Sequence, residues 1–177
     1  MTDRMKELGF EQIDIKTLGL DPITAIGDRW MLISAGDETS SNTMTASWGF
    51  MGVMWNKPAV TAAIRRSRHT KKFVDEKGVF TLSFYPDSMK KTLGFCGSKS
   101  GRDFETNGKA KAAGLTALAV DGTVAYEEAE IILVCKTMYT SEIGAEGFTD
   151  GSIPAAQYAD SDWHTMYIAE ITAAYRR

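Results

Sequence analysis

The segment Thr70-Lys-Lys-Phe-Val-Asp-Glu-Lys-Gly-Val-Phe-Thr-Leu-Ser-Phe-Tyr85 decides the fold class, because its hydrophobic pattern changes at the centre. The first half predicts a helix with Ser67 or Thr70 as its N-cap and Gly78 as its C-terminal glycine. The second half alternates large apolar residues with Thr, Ser and Tyr, which is the period of a β-strand over residues 79–85. A helix that leads directly into a strand therefore lies near the middle of the chain.

Outward from this segment, the pattern predicts more strand than helix. Further strands are expected at 29–35, 43–49, 59–64, 124–126, 129–141 and 165–175, and short helices at 1–11, from 86 to about 95 and at 103–113. A turn is expected at 56–58, and an irregular loop at 144–162. About six strands with inserted helices predict a mainly β fold, an antiparallel β-barrel rather than a doubly wound sheet. No linker divides the chain, so we expect a single domain over residues 1–177.

Composition excludes several classes of protein. The 177 residues are 44% hydrophobic and 24% charged, which is typical of a folded domain and not of a disordered one. A net charge of −3, from 20 Lys plus Arg against 23 Asp plus Glu, argues against a nucleic-acid partner. The uncharged stretch 39–56 is too rich in Ser, Thr, Asn and Gly to span a membrane. With no signal peptide and no Cys-x-x-Cys around Cys96 or Cys135, a cytoplasmic location is expected.

The residues that would make a self-sufficient enzyme are missing. The chain has two histidines, His69 and His164, and no G-x-S-x-G nucleophile elbow, G-x-G-x-x-G turn or phosphate-binding G-K-[ST] ending. No Cys and His spacing indicates a metal site, so none is expected. Redox or transfer chemistry would therefore need a bound cofactor.

The most informative segment is the basic run Arg65–Lys72. Five of the 20 Lys plus Arg fall within these eight residues, at the start of the predicted helix. Cations are mildly unfavourable at a helix N-terminus, whereas an anion there is stabilised by the free N–H groups and the helix dipole. From this pattern a phosphate site and a solvated basic surface remain equally open.

Two other segments indicate a ligand less strongly. In a strand over 42–49, Thr43, Thr45 and Ser47 would form a row of hydroxyls opposite Met44, Ala46 and Trp48. Such a row suits a planar heterocycle with a polar chain, although a strand with a solvent-facing hydroxyl side is the simpler explanation. The Gly-rich stretch 94–103 suits a loop close to a ligand or a partner subunit, or a plain connector. Within it, Cys96 is expected to be a structural thiol.

Together these segments resemble the flavin reductase-like, FMN-binding split-barrel family, in its flavoredoxin-like branch. The resemblance runs in order over about 23–171. It is carried by Asn42-Thr-Met-Thr-Ala-Ser-Trp-Gly49, Trp55-Asn-Lys-Pro58, Ser67-Arg-His-Thr70, Phe80-Thr-Leu-Ser-Phe84, Cys96-Gly-Ser-Lys-Ser-Gly-Arg-Asp103 and His164-Thr-Met-Tyr-Ile-Ala-Glu-Ile171.

The resemblance implies a split β-barrel that forms a homodimer and binds FMN non-covalently near the dimer interface. Strand residues would contact the flavin, Ser67, Arg68 and Thr70 would hold the phosphate, and the 100–103 loop would close over the ring or ribityl region. His164 would lie near the isoalloxazine, or else serve as a core or interface histidine. The FMN-binding residues so implied are Asn42, Met44, Thr45, Ala46, Ser47, Trp48, Arg65, Ser67, Arg68, Thr70, Ser100, Gly101, Arg102 and Asp103.

The activity implied by the resemblance is a flavin oxidoreductase that passes electrons through FMN from NADH, NADPH or a redox protein. Two alternatives stay open from the residues alone. One is an FMN-dependent electron carrier that does not turn over NAD(P)H. The other is a non-enzymatic dimer whose basic segment binds a polyanion.

Overall fold

The computed structural model describes all residues, 1–177, as ten strands and five α-helices. The strands are β1 Glu11–Ile13, β2 Met31–Gly36, β3 Ser41–Ala46, β4 Gly49–Met54, β5 Lys57–Arg65, β6 Val79–Phe84, β7 Ala117–Val120, β8 Thr123–Tyr126, β9 Ile131–Glu142 and β10 His164–Arg176. The helices are α1 Asp3–Glu7, α2 Thr70–Lys77, α3 Lys90–Ser98, α4 Gly108–Ala112 and α5 Ser152–Gln157. Thr24–Arg29 forms a short π-helix.

The main sheet is antiparallel and has the strand order β3-β2-β6-β9-β10-β5-β4, with β1 paired to the end of β10. β7 and β8 form a separate hairpin. Strands β3 and β4 are consecutive in the chain but lie at opposite ends of this order, so the hydrogen-bonded sheet is open between them. The mainly β, antiparallel fold with inserted helices is thus confirmed, and its sheet is not closed into a continuous barrel.

The core has two layers, one on each face of the sheet. The larger cluster contains Phe80, Leu82 and Phe84 of β6 together with Val74 of α2. The other face is covered by α1, α3 and the β7–β8 hairpin. As a result, β6 is buried on both faces, and its polar Thr81 donates a hydrogen bond to the Val124 carbonyl at 2.8 Å. The strand expected from alternation over 79–85 is present at 79–84, and all of its residues except Val79 are buried.

Helix α2 follows the sequence prediction most closely. It begins at Thr70 and ends at Gly78, whose φ of 64° is the left-handed conformation that favours glycine at a helix C-terminus. The N-cap differs from the prediction: it is His69, and no side chain caps the helix there. Ser67, one of the two expected caps, instead bonds to Asp162.

The hairpin β4–β5 was not expected. The strand predicted at 43–49 ends at Ala46, and β4 starts a new strand at Gly49, where a side chain's Cβ would lie 2.6 Å from the Thr61 carbonyl oxygen. The turn is at Trp55-Asn56, with φ values of 50° and 60°, and not at 56–58. Pro58 lies within β5, before the strand pairs with β10 from Ala59 onward, so its missing N–H breaks no bond to that strand.

Three other expectations need correction. Between 103 and 113 only α4 is helical, because residues 104–107 form turns. The segment expected to be an irregular loop, 144–162, contains the short helix α5. The structure has ten strands and not about six: the seven expected ranges correspond to β2, β3, β5, β6, β8, β9 and β10, and the short strands β1 and β7, like β4, gave no clear pattern. No helix is both long enough and apolar enough to cross a membrane.

Candidate functional site

Two adjoining cavities lie where β3 ends, α2 begins and the loop after α3 passes. The first, here the aromatic cavity, has a volume of about 210 Å³ and is lined by Met44, Thr45, Ala46, Ser47, Trp48, Ala63, Arg65, Arg68, Gln157 and His164. The second, here the basic cavity, has a volume of about 290 Å³ and is lined by Asn42, Ser67, Arg68, His69, Thr70, Ser98, Lys99, Ser100, Gly101, Arg102 and Lys109. Arg68 lines both cavities, so the two adjoin at this side chain.

Strand β3 contributes an open edge to the aromatic cavity. It pairs only with β2, so the N–H and C=O groups of its other edge have no partner strand. The hydroxyls do not form the expected row: Thr43 bonds to Ser34 at 2.8 Å, and Thr45 donates to the Leu93 carbonyl at 2.5 Å. Residues from both faces of β3 line the cavity at the end of the strand. The strand stops at Ala46, and the next two residues, Ser47 and Trp48, continue along the same side of the cavity.

The basic run at the start of α2 is largely neutralised. Arg65 pairs with Asp160 at 3.6 Å, Arg66 pairs with Glu142, and Lys71 and Lys72 pair with the carboxylates four residues further along α2. Four of the five cations that indicated a phosphate site therefore already have carboxylate partners. Arg68 is the one that remains without a carboxylate partner.

The charge of the basic cavity comes mostly from other segments. Arg68, Lys99, Arg102 and Lys109 line it, none of the four is in an ion pair, and no carboxylate is among the lining residues. Burial, and after it the positive charge of Arg68, lowers the pKa of Lys109 to about 8. Burial and Arg102 likewise lower the pKa of His69. The cavity is therefore suited to an anion.

Arg68 is held in place without losing its charge. Its guanidinium donates to the carbonyls of Gly97 at 2.7 Å and Cys96 at 3.3 Å, near the C-terminal end of α3. That end carries the negative side of the helix dipole and so favours a cation. Burial lowers the pKa of Arg68, but an arginine remains protonated at neutral pH.

The 100–103 loop closes the basic cavity. Gly101 packs so closely that a Cβ there would overlap Asn42 Oδ1 and lie 2.9 Å from His69 Cδ2. Asn42 is held by a bond from its Nδ2 to Thr70 Oγ1 at 2.8 Å. Arg102 donates to the Ser67 carbonyl at 2.7 Å, which fixes the loop against the start of α2.

His164 lies at the other end of the site, beside Trp48. The two ring centroids are 5.1 Å apart, and the His164 Nδ1 is 2.8 Å from the Tyr158 hydroxyl. Burial, followed by the nearby Arg65, lowers the pKa of His164 to about 4. The imidazole is therefore neutral at pH 7.

The segment 143–163 contributes Gln157 to the lining of the aromatic cavity and is fastened by polar contacts. Arg65 donates to the carbonyls of Gln157 at 2.8 Å and Asp162 at 2.9 Å. The Asp162 carboxylate accepts from the Ser67 N–H at 3.0 Å and from its hydroxyl at 2.5 Å. Ser67, predicted to hold a phosphate, therefore has its hydroxyl and N–H bonded to Asp162.

Of the predicted site residues, the structure brings thirteen of fourteen to the two cavities. Asp103 is the exception: it is exposed and lines neither one. Sequence patterns did not indicate Lys109, because it lies outside the basic run and reaches the site only through the packing of α4 on β3. Cys96 is buried, and burial raises the pKa of its thiol to about 11, which suits a structural thiol.

The arrangement suits a ligand that is planar at one end and anionic at the other. The aromatic cavity offers Trp48, a neutral imidazole and a strand edge with open peptide groups. The basic cavity offers four unpaired cations and the hydroxyls of Thr70, Ser98 and Ser100. No group of three or more His, Cys, Asp or Glu side chains is placed to hold a metal ion.

Comparison with known proteins identifies solved structures that share this fold. Among solved structures, an FMN-binding domain of a flavin reductase-like enzyme from Shewanella baltica OS155 is 17% identical, with a TM-score of 0.68 over 94% of this chain and 76% of that one. The flavoredoxin of Methanosarcina acetivorans is 21% identical, with a TM-score of 0.66 over 94% and 76%. The flavoredoxin of Desulfovibrio vulgaris (Miyazaki F) is 20% identical, with a TM-score of 0.64 over 93% and 77%.

At these identities the likeness establishes the fold alone. A search of curated protein sequences found no significant match. The family model described as flavin reductase like domain matches residues 25–177, most of the chain, and confirms the resemblance seen in the sequence motifs. The chain belongs to the flavin reductase-like domain family.

Proposed function

We propose that the chain binds FMN across the two joined cavities and is a flavin reductase-type oxidoreductase. The observation that supports this most strongly is that the aromatic cavity adjoins a basic cavity with no carboxylate among its lining residues, and that Arg68 lines both. FMN has the matching chemistry, a flat ring joined through a polar chain to a phosphate.

The residues present fit the cofactor at its anionic end. Arg68, Lys99, Arg102 and Lys109 would neutralise the phosphate charge, and Arg is especially suited to phosphate because its guanidinium can form two bonds at once. The hydroxyls of Thr70, Ser98 and Ser100 would complete the set of donors. An unpaired buried cation such as Lys109 costs free energy in the empty site, and an anion there removes that cost.

The residues at the other end fit a ring. Trp48 and Ala46 would exclude water from it, and the open peptide groups of residues 45–47 would bond to its polar edge. When bound, the cofactor supplies the hydride and electron chemistry, so the chain needs no nucleophile of its own. The neutral imidazole of His164 would add a hydrogen-bonding group without adding charge.

For the electron donor we propose NADH or NADPH, with a redox protein as the second candidate. The reductase function is supported by the family to which the chain belongs, and the carrier function by the flavoredoxins that share its fold. Trp48 is 43% exposed, so the aromatic cavity is open on one side to a donor of either kind. A polyanion-binding function is less well supported, because four of the five cations at the start of α2 are ion-paired.

We also propose that the working form is a homodimer formed through β4. This edge strand and its turn expose large apolar side chains: Phe50 is 71% exposed, Val53 77% and Trp55 55%. β4 also has one edge without a strand partner. Exposed large apolar side chains on an open strand edge are typical of a surface that a partner covers, and a second copy supplies complementary apolar side chains.

The cofactor proposal is tested by titrating the flavin-free protein with FMN and with riboflavin, which lacks the phosphate, and following flavin absorbance and fluorescence. We expect FMN to bind at least tenfold more tightly than riboflavin, the minimum for hydrogen bonds to a charged group. Arg68→Met should reduce this preference, because it removes a cation shared by both cavities.

Arg66→Met is the matched control, because Arg66 belongs to the same basic run but pairs with Glu142 at the surface. It should leave both affinities unchanged. A protein that takes up neither flavin would contradict the proposal. Stopped-flow mixing of the FMN-loaded protein with NADH and NADPH then separates a reductase, which is reduced by one of them, from a carrier, which is not.

A further inference from the structure

The Tyr158–His164 pair is a polar contact between two side chains that links the 143–163 segment to a histidine lining the aromatic cavity. Both residues are buried, with 6% and 7% of their surfaces exposed. The tyrosine hydroxyl lies 2.8 Å from His164 Nδ1, while the His164 ring lines the cavity beside Trp48. The other imidazole nitrogen, Nε2, has no hydrogen-bond partner in the protein and is not sealed from solvent.

The bonding options of the tyrosine hydroxyl decide where the imidazole proton lies. Nδ1 is the only protein group to which this hydroxyl can donate. If Nδ1 carried the proton, the hydroxyl would accept it and its own hydrogen would lack a protein acceptor in a buried place. If the hydroxyl donates to Nδ1, both groups are satisfied and the imidazole proton lies on Nε2. The second arrangement is therefore the favoured one.

The tyrosine itself is held firmly. Its ring stacks on Trp163 with centroids 4.5 Å apart, and the Arg65 guanidinium lies 5.2 Å from the ring centre. Arg65 also donates to the backbone of residues 157 and 162 on both sides of the tyrosine. The hydroxyl thus reaches Nδ1 from a fixed position.

We propose that Tyr158 is a positioning residue that fixes His164 as a neutral imidazole with its proton on Nε2, so that a hydrogen-bond donor faces the aromatic cavity. This inference rests on the proposed function, in which the flavin ring occupies that cavity. A neutral donor there bonds to a polar edge of the ring. Tyr158 thereby influences ring binding through His164, which lines the aromatic cavity and not the basic one.

The test uses the full chain labelled with ¹⁵N at histidine, first without and then with flavin. In the flavin-free protein at pH 7, we expect the His164 nitrogen shifts to show an unprotonated Nδ1 and a protonated Nε2. Tyr158→Phe keeps the stacked ring and removes only the hydroxyl, so its His164 shifts should move toward a mixture of the two tautomers. FMN and riboflavin should both bind threefold to tenfold more weakly to this variant, the size of one neutral hydrogen bond.

Tyr167→Phe is the matched control. It removes a tyrosine hydroxyl on the same strand as His164, where the hydroxyl donates to Asp75 at 2.6 Å. It should alter neither the His164 shifts nor flavin affinity. The equal loss for both flavins separates this role from that of the basic cavity, whose variants discriminate between FMN and riboflavin.

Three results would overturn the proposal. They are a proton on Nδ1 in the wild-type protein, unchanged His164 shifts in Tyr158→Phe, or flavin affinities equal to wild type in that variant. The wild-type measurement needs no variant, so it decides the tautomer even where Tyr158→Phe fails to fold. A wild-type protein that takes up no flavin contradicts the proposed function. It also contradicts any effect of Tyr158 on the binding of a flavin ring.

Discussion

At the scale of single residues, the site depends on cations that have no carboxylate partner. Arg68 and its neighbour Arg66 have the same chemistry, yet Arg66 pairs with Glu142 whereas Arg68 bonds only to carbonyls of α3. A carbonyl orients the guanidinium without cancelling its charge, and the helix dipole favours the cation there. The number of arginines in the segment is therefore less informative than the partner of each one.

Only glycine fits at position 101, because Asn42 and His69 leave no space for a Cβ atom. We expect Gly101→Ala to weaken FMN binding at least tenfold and to lower the free energy of unfolding by about 1–3 kcal/mol, because the Cβ would displace Asn42 and His69. Urea denaturation and FMN titration measure the two effects. Gly94→Ala is the control, since it lies in α3 and a Cβ at that position would have no neighbour within 4 Å. It should be neutral or stabilising by up to about 1 kcal/mol, and equal behaviour of the two variants would contradict this explanation.

Lys109 makes FMN affinity depend on pH. Its pKa is lowered to about 8, so the ammonium is present at pH 7 and is lost progressively at higher pH. Affinity for the phosphate should therefore fall by several-fold between pH 7 and 9.5. The stability of the flavin-free protein depends on pH in the opposite direction. Lysine in the unfolded chain keeps its proton up to a pKa of about 10.5, so the unfolded state binds more protons than the native state between the two pKa values. Lys109 therefore makes the free energy of unfolding rise with pH between about 8 and 10.5.

FMN titrations at several pH values measure this dependence. Lys109→Met should flatten the curve and weaken binding at pH 7. Lys111→Met, two residues further along α4 and exposed, should retain the full pH dependence. A Lys109→Met protein with the same pH dependence as wild type would contradict the role given to this lysine.

At the scale of elements, the 143–163 segment is fastened to the start of α2 by a few polar contacts. Asp162 accepts two hydrogen bonds from Ser67, and the segment contains only the six-residue α5 and one turn of 3-10 helix at Ala145–Gly147. Segments with few buried apolar contacts open at low free-energy cost. We therefore expect the two bonds from Ser67 to the Asp162 carboxylate to contribute to holding this segment closed.

We expect Asp162→Ala to increase amide hydrogen exchange over 156–163 by roughly tenfold, because it removes two bonds to a charged acceptor. Exchange in β6 and β9 should not change. Asp150→Ala is the control, since Asp150 lies in the same segment but bonds only to Ser152; its effect should stay near residue 152. Unchanged exchange over 156–163 in Asp162→Ala would show that the segment is held by other contacts.

At the scale of the whole molecule, the open sheet leaves β4 exposed. Its outward side chains carry the apolar surface proposed as the dimer interface. We expect Phe50→Glu, which places a charge on that surface, to give a monomer at concentrations where the wild-type protein is a dimer. Light scattering after size-exclusion chromatography measures the mass. Ile153→Glu is the control, because Ile153 is an exposed apolar residue on α5, away from β4.

If Ile153→Glu also dissociates the dimer, the added charge itself causes dissociation, and the result does not identify β4 as the interface. A wild-type protein that is monomeric at high concentration would contradict the dimer directly. FMN titration of the Phe50→Glu monomer then shows whether a second copy completes the site or only stabilises it.

The amino-acid sequence by itself was sufficient for the fold class and for most of the segments that line the two cavities. The change of period at Gly78 predicted α2 and β6, because helix capping and strand alternation depend on residues close together in the chain. The same is true of the segments at 42–48, 65–70 and 100–102, which all reach the two cavities. Turn and strand assignments failed mainly at β4, whose apolar residues face outward and follow no burial pattern.

The tertiary structure alone decided which charges are available and which polar faces are buried. Glu142 and Asp160 neutralise arginines that lie at least 76 residues earlier in the chain, and Lys109 reaches β3 across 66 residues. β8, which is also distant in the chain, covers the polar face of β6. The alternation of residues within β6 does not reveal that this face is buried. Charge and burial are properties of neighbours in space, so the free cations, and with them the anion site, exist only once the sheet has brought these distant segments together.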